Sequence, residues 1–476
     1  MSNKPWMTRR RMLSTLGLSA GAWLMRDLVL PTSANADAAT LAKRPLLIFA
    51  YFSGGWDTLL TLDPRDGTKF NDPAAKIQTG YDRVCDAVPA IENVMMNCGG
   101  TGLVKPAQSN ITFGPAIGKI AQQHYQDLCV VRGIEMATLT HEVGRRYFLT
   151  GKFPRGLAAS GSSLPTWVVH DDPGASVIPN LVVGGVETYN EGLDPRATGL
   201  MIRSSSDLSA ILKPLVAGNE PNDATKAALT AYAGQDHCIH EQIGTTGLVK
   251  SYRAAMQNAE LLSEGTLWQN FDFKSNPSDP AIQELYAAFG INAASPSSDL
   301  AGPKGQVAIA AQALTKNISQ VVSIQVATGL DTHDDDWESV HPPKLIAGFD
   351  ALSDLISYLK TKTDPNGQPF WNRTVLVCFS EFSRTPSINV RGGRDHHLSN
   401  ACLVAGMGIA GNKVIGATGV DDYASRAINL ATGEVEEGGS PIRPADIHAT
   451  VLEAMGLGYD HISNQSPKII DAMLKG

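Results

Sequence analysis

The sequence predicts an α/β protein, with a central mixed, mostly parallel sheet, helices on both faces and an inserted cap region. Three observations predict it. Short apolar runs bounded by turn residues recur at Leu46 to Phe52, Leu128 to Arg132, Val321 to Ala327, Thr374 to Phe379 and Ala401 to Ala405, each the length of a strand. The runs are continuously apolar rather than alternating, which suits strands covered on both faces. Helical patterns fall between them, at Ile117 to Tyr125, Lys344 to Leu359 and Ala445 to Met455, and such interleaving defines the class.

The chain begins with Thr8-Arg9-Arg10-Arg11-Met12-Leu13, an apolar stretch from Leu13 to Met25, and then Ala34-Asn35-Ala36. Paired arginines, an apolar core and a small-residue cleavage pattern in that order read as a twin-arginine signal peptide over residues 1–36, rather than as an amphipathic helix. The Tat export machinery is then a partner, and the mature chain, from about Asp37, is expected in the periplasm or cell envelope. No later run reaches the roughly 18 to 20 apolar residues that span a bilayer. Residues 37–476 are expected to form one large domain, with a probable insertion at about 155–305. That stretch is rich in Ser, Gly, Pro and Asn, with weak strand signals and helical pieces at Asp223 to Ala233 and Ser251 to Ser263. Asp364-Pro365-Asn366-Gly367 reads as a turn between a helix and the next strand.

A composition of 43% hydrophobic and 18% charged residues can bury a sizeable core. The net charge of -8, with no basic run beyond the N-terminus, excludes the electrostatic footprint of a nucleic-acid partner. Six cysteines are too few for a disulfide scaffold. Cys129, Cys378 and Cys402 lie inside apolar runs and read as core; Cys85 and Cys98 flank a glycine-bounded loop and either pair after export or stay apart.

In open α/β sheets the ligand site lies beyond the carboxyl ends of the strands. Four polar clusters stand at such places. Ser53-Gly54-Gly55-Trp56-Asp57 follows the first run, its glycines permitting a tight turn that projects Asp57, which otherwise serves as a helix N-cap. After Val321 to Ala327, Asp331 and His333 are two apart, so in extended chain both point the same way and can reach one metal. Asp334, Asp335, Asp336 and Glu338 crowd this stretch, and their repulsion calls for a cation or basic groups unless the loop is simply solvated. Glu381 falls just past Thr374 to Phe379, where either Arg384 or a metal must pair it. Gly392-Gly393-Arg394-Asp395-His396-His397 enters the last strand. Asp57, Asp331, His333, Glu381 and His396 make a mixed nitrogen and oxygen ligand set for a divalent metal: zinc or manganese, or calcium if carboxylates dominate.

Other signals carry less. Gly406-Met407-Gly408-Ile409-Ala410-Gly411 matches the dinucleotide fingerprint, but β-branched and glycine residues follow where a helix is required. His237-Cys238-Ile239-His240 lacks a second ligand pair. His341 and His448 read as packing or surface residues.

The run from Thr140 to Pro154 resembles the sulfatase signature, with Arg145, Leu149, Thr150, Gly151 and Pro154 in register. His141 stands where that signature has Cys or Ser. Together with Gly-Gly-Trp-Asp57, Asp331-Thr-His333, Glu381-Phe-Ser-Arg-Thr-Pro and Gly-Arg-Asp-His396, this run makes the whole mature chain similar to the exported family of domain of unknown function 1501 (DUF1501). That resemblance implies an alkaline phosphatase/sulfatase-like fold and a one- or two-metal site for phosphate or sulfate ester hydrolysis. It implies metal-ligand roles for Asp57, Asp331, His333, Glu381 and His396, and a role for Arg145 in holding a substrate anion or the nucleophile. Three departures bear on the transfer: His141 cannot become the aldehyde hydrate of sulfatases, Glu381 stands for Asp, and Ser383 stands where Gly is more frequent. His141 can instead ligate a metal, act as general base or be transiently phosphorylated; Thr140 is a weaker nucleophile. The expectation is an exported metal-dependent hydrolase-like protein acting on a small-molecule or envelope ester. The alternative is a catalytically silent envelope binding or assembly protein. A metal-free glycoside hydrolase using Asp334 to Asp336 is disfavoured, because adjacent acids on one loop do not flank a bond.

Overall fold

A computed structural model describes residues 44–89, 100–174, 176–213, 267–274 and 278–476. In chain order the elements are β1 (Leu46–Phe52), α1 (Tyr81–Ala87), α2 (Ile120–His124), β2 (Leu128–Glu135), α3 (His141–Thr150), α4 (Leu164–Asp171), β3 (Asn180–Val183), β4 (Leu200–Ile202) and α5 (Ser205–Leu212). They continue with α6 (Pro280–Ala288), α7 (Ser297–Ala301), α8 (Pro303–Thr315), β5 (Val321–Ala327), α9 (Trp337–Thr361), β6 (Thr374–Phe379), β7 (Ser383–Arg384), β8 (His396–His397), β9 (Ser399–Gly406), β10 (Lys413–Ile415) and α10 (Pro444–Met455).

Eight strands form one sheet in the order β10-β2-β9-β6-β1-β5-β3-β4. β1 pairs in parallel with both β5 and β6, and β9 alone runs against its neighbours β2 and β6. The mixed, mostly parallel sheet is therefore as the sequence predicts. The period of two in β1 shows why its run is apolar throughout. Leu46, Ile48, Ala50 and Phe52 face a core shared with Leu345, Phe349 and Leu352 of α9 and Val307 and Ala311 of α8. Leu47, Phe49 and Tyr51 face a second core with Phe148 of α3, Val168 of α4 and Val451 of α10. Burial of each such large apolar side chain contributes about 1.5 to 3 kcal/mol.

Several boundaries differ from the sequence reading. α2 starts at Ile120 because Gly118 sits at φ +67, where a Cβ would lie 2.4 Å from Asp350 Oδ1. α9 starts at Trp337, ahead of the expected Lys344, and carries Pro342 and Pro343 within its span. The stretch 155–305 contributes β3 and β4 to the sheet edge beyond β5, strands too short to show in a run of apolar residues. The turn at Asp364 to Gly367 closes by the Gly367 N–H donating to the Asp364 carbonyl at 2.9 Å. The Gly406 to Gly411 run leads into β10 and no helix. Cys129, Cys378 and Cys402 are buried and free, and Cys85 is disulfide-bonded. The signal peptide, Cys98, the helical pieces at Asp223 to Ala233 and Ser251 to Ser263, and His237 to His240 lie outside the described residues. No described helix is long and apolar enough to cross a membrane.

Candidate metal centre

The parallel strands β1, β2, β5 and β6 deliver their carboxyl ends to one edge of the sheet, and the chain preceding β9 returns to the same edge. Two glycines let these ends touch. A Cβ on Gly54, at φ +112, would lie 2.6 Å from Leu330 N and 2.7 Å from Asp331 N; without one, the turn after β1 rests directly on the turn after β5. A Cβ on Gly144 would lie 2.5 Å from the Glu381 carbonyl oxygen, so α3 lies against the chain leaving β6 and sets His141, its first residue, over the edge.

Three imidazoles meet there, and the Nδ1 of each is tied to an acceptor. His141 Nδ1 is 2.7 Å from Glu381 Oε1, His333 Nδ1 is 2.7 Å from Asp395 Oδ1, and His396 Nδ1 is 2.6 Å from the Leu139 carbonyl. Carboxylates and carbonyls only accept, so each Nδ1 carries the proton and each Nε2, in the neutral ring, presents a lone pair. All three Nε2 atoms face one carboxylate oxygen: Asp331 Oδ1 is 3.1 Å from His141, 3.0 Å from His333 and 3.2 Å from His396. His333 and His396 Nε2 are 3.0 Å apart. The ligand atoms of His141, Asp331 and His396 all lie within 4.8 Å of one another. His141 Nε2 is buried with no hydrogen-bond partner.

The donor set fits a divalent cation. Nitrogen and oxygen ligands at about 2.0 to 2.2 Å from zinc stand about 3 Å from one another around it, and ligating histidines are held by an acceptor on the other ring nitrogen. The mutually close set is two imidazoles and one carboxylate, His141, His396 and Asp331. Electrostatics keep the anions charged. Burial opposes the Asp331 charge, but the hydrogen bond and charge of Arg384 outweigh it and hold the carboxyl well below the usual range. Burial likewise opposes charge on Glu381, yet the His141 hydrogen bond brings its pKa down, and Glu381 in turn overcomes burial to raise that of His141. Burial pushes His396 down. The Phe382 ring, 4.7 Å from His141 and 4.4 Å from His396, covers one side of the cluster.

The structure thus brings His141, Asp331, His333 and His396 together, and gives Glu381, Asp57 and Arg145 other partners. Glu381 is 1% exposed, and its oxygens accept from the Tyr51 hydroxyl, the Gly54 N–H and His141, with Ser380 Oγ at 3.0 Å. With its lone pairs filled it orients His141 and does not face the ligand space. Arg384 pairs instead with Asp331, Nη2 to Oδ1 at 2.6 Å, and its Nη1 lies 3.3 Å from His333 Nε2. Asp57 does not join the cluster: its Oδ2 takes Arg394 and the Trp337 indole N–H, and its Oδ1 takes the Leu59 and Leu60 N–H groups. Arg145 Nη2 pairs with Glu187 at 2.7 Å, while its buried Nε has no hydrogen-bond partner. Asp334 pairs with Arg391 on the exposed loop. His397 accepts the Ser399 N–H and packs on Tyr423. Sequence reasoning missed Tyr51, Asp395 and the Leu139 carbonyl; Asp395, beside the histidine pair, carried the only signal among them.

Residues 44–466 match the model of a family described as protein of unknown function, DUF1501. No curated protein matches the chain. Among solved structures, Ps i-CgsB in complex with k-i-k-neocarrahexaose is similar at 9% identity, covering 90% of this chain and 75% of that one, with a TM-score of 0.36. BT4656 in complex with its substrate D-glucosamine-2-N, 6-O-disulfate gives 10% identity, 91% and 80% coverage and a TM-score of 0.34. The PsFucS1 sulfatase from Pseudoalteromonas sp. gives 10%, 90%, 72% and 0.32.

Proposed function

The chain belongs to the DUF1501 family, and we propose that it is an exported, metal-dependent hydrolase acting on a phosphate or other ester. The observation that carries this reading is the convergence of three Nε2 lone pairs, each fixed by a bonded Nδ1–H, on the single oxygen Asp331 Oδ1. Acceptors that face one another repel unless a cation or protons lie among them.

His141, Asp331 and His396 are the residues to hold the ion, with His333 Nε2 beside them at 3.0 Å from both Asp331 Oδ1 and His396 Nε2. Held there, a divalent cation would supply Lewis-acid chemistry for ester hydrolysis. His141 acts here as a ligand and not as the nucleophile: its Nε2 is buried 3.1 Å from a carboxylate, closed to in-line attack. Glu381, Asp395 and the Leu139 carbonyl fix the ring tautomers, while Arg384 keeps Asp331 ionised. Phe382 excludes water on one side, and the Asp331 side chain, 47% exposed, marks the side open to substrate.

A screen of phosphomonoesters, phosphodiesters and sulfate esters with zinc, manganese or calcium tests the reading. Turnover that needs metal and disappears in Asp331→Ala supports it. One observation favours a second reading, a silent envelope binding protein: the Arg384 guanidinium, 2.6 Å from Asp331 Oδ1, already offers that carboxylate a cation. Absence of turnover with every metal and ester moves the weight there.

A further inference from the structure

Beneath the metal centre lies a buried polar network. Asp57 and Arg394 are 1% and 0% exposed, with Arg394 Nε 3.0 Å from Asp57 Oδ2. The Trp337 indole N–H donates to the same oxygen at 3.0 Å, and the guanidinium sits 4.5 Å from the centre of that ring. The Asp57 N–H donates to Nε2 of the fully buried His341 at 3.0 Å. Nε2 is therefore the accepting nitrogen, and Nδ1–H donates to Thr332 Oγ1 at 2.9 Å. Burial pushes the His341 pKa well down, consistent with a neutral ring. The Arg394 N–H donates to the Thr332 carbonyl at 3.2 Å, and the Arg394 carbonyl accepts from Arg384 at 3.1 Å.

Thr332 lies between Asp331 and His333, and alternation along extended chain turns its side chain inward when theirs face the crevice. Arg394 immediately precedes Asp395 and His396. One network thus grips both loops that bear the cluster and the turn after β1. Stability alone does not account for it, since a buried ion pair is commonly no more stabilising than apolar residues of similar volume, whereas fixing register is an attested use of such pairs.

We infer that Asp57, His341 and Arg394 are positioning residues for the metal centre, gripping Thr332 so that Asp331 and His333 stand in register with His396. The inference rests on the metal reading proposed above and assigns Asp57 a place behind the ligands.

The test is zinc affinity of the full chain by competition with a chromophoric chelator, alongside thermal unfolding, for wild type, Thr332→Val, His341→Leu and His341→Gln. Thr332→Val removes the hydroxyl at nearly constant volume and serves alone if His341→Leu does not fold. Zinc binding should weaken about tenfold or more in Thr332→Val and His341→Leu, the scale of lost ligand support. His341→Gln, which keeps one donor and one acceptor, should recover most of it. Wild-type affinity in folded variants, with only the melting temperature lowered, overturns the inference and leaves the metal reading standing. A wild type that binds neither zinc, manganese nor calcium overturns both.

Discussion

Replacing Glu381 by Gln removes one charge and few atoms, yet it should weaken the proposed metal centre without abolishing it. The carboxylate accepts from His141 Nδ1 at 2.7 Å, from the Tyr51 hydroxyl at 3.0 Å and from the Gly54 N–H at 2.9 Å, the last two bonds fully buried. A glutamine amide has one oxygen for these donors and turns its NH2 towards at least one of them. Leaving a buried donor unsatisfied costs about 1 to 3 kcal/mol of stability. If the NH2 faces His141, the ring is no longer held with its proton on Nδ1, and Nε2 loses its fixed lone pair. Loss of such an orienting acceptor reduces metal affinity about 10- to 100-fold, or about 1.4 to 2.7 kcal/mol. Chelator competition on Glu381→Gln and on Asp331→Ala separates an orienting role from a ligating one. Binding as tight as wild type refutes the orienting role, and a loss as complete as in Asp331→Ala shows Glu381 to be a ligand itself.

Two further outcomes follow from the geometry. Gly144→Ala places a methyl where a Cβ lies 2.5 Å from the Glu381 carbonyl oxygen, so α3 must shift. It should cost about 1 to 3 kcal/mol by chemical denaturation, as overpacking does, and loosen metal binding by moving His141; unchanged stability would show that the helix gives way freely. His448, fully buried on α10 and bonded to the Phe148 carbonyl of α3 at 2.7 Å, has its pKa lowered to about 4 by burial. The unfolded chain takes up this proton near pH 6.5 and the folded chain only near 4. Stability is therefore full above about pH 6.5 and falls between 6.5 and 4, by about 3 kcal/mol from this group. A denaturation series across that window should flatten in His448→Gln, and an unchanged slope in the variant would assign the loss to other groups.

The sheet was legible because parallel strands buried on both faces must be apolar at every position, as in Leu46 to Phe52. β3 and β4 escaped because four and three residues cannot display a pattern, and the start of α9 was hidden by Pro342-Pro343. His141, Asp331, His333 and His396 could be found because each closely follows or precedes a strand or opens a helix at the sheet's carboxyl edge. Which way a buried carboxylate points was not legible. Asp57 and Glu381 both follow strands, but their partners Trp337, Arg394 and Tyr51 lie hundreds of residues away, and only the folded chain shows that those donors fill their oxygens. The partner of Arg145 was not legible either, since its register in the His141 run says nothing of Glu187.

The most direct test of the metal centre is elemental analysis of the mature protein, purified without chelator, beside Asp331→Ala. The gathering of His141, Asp331 and His396 ligand atoms within 4.8 Å of one another predicts near-stoichiometric zinc or manganese in the wild type and its loss in the variant. Metal-free wild type that also fails to take up zinc, manganese or calcium on addition would contradict that account.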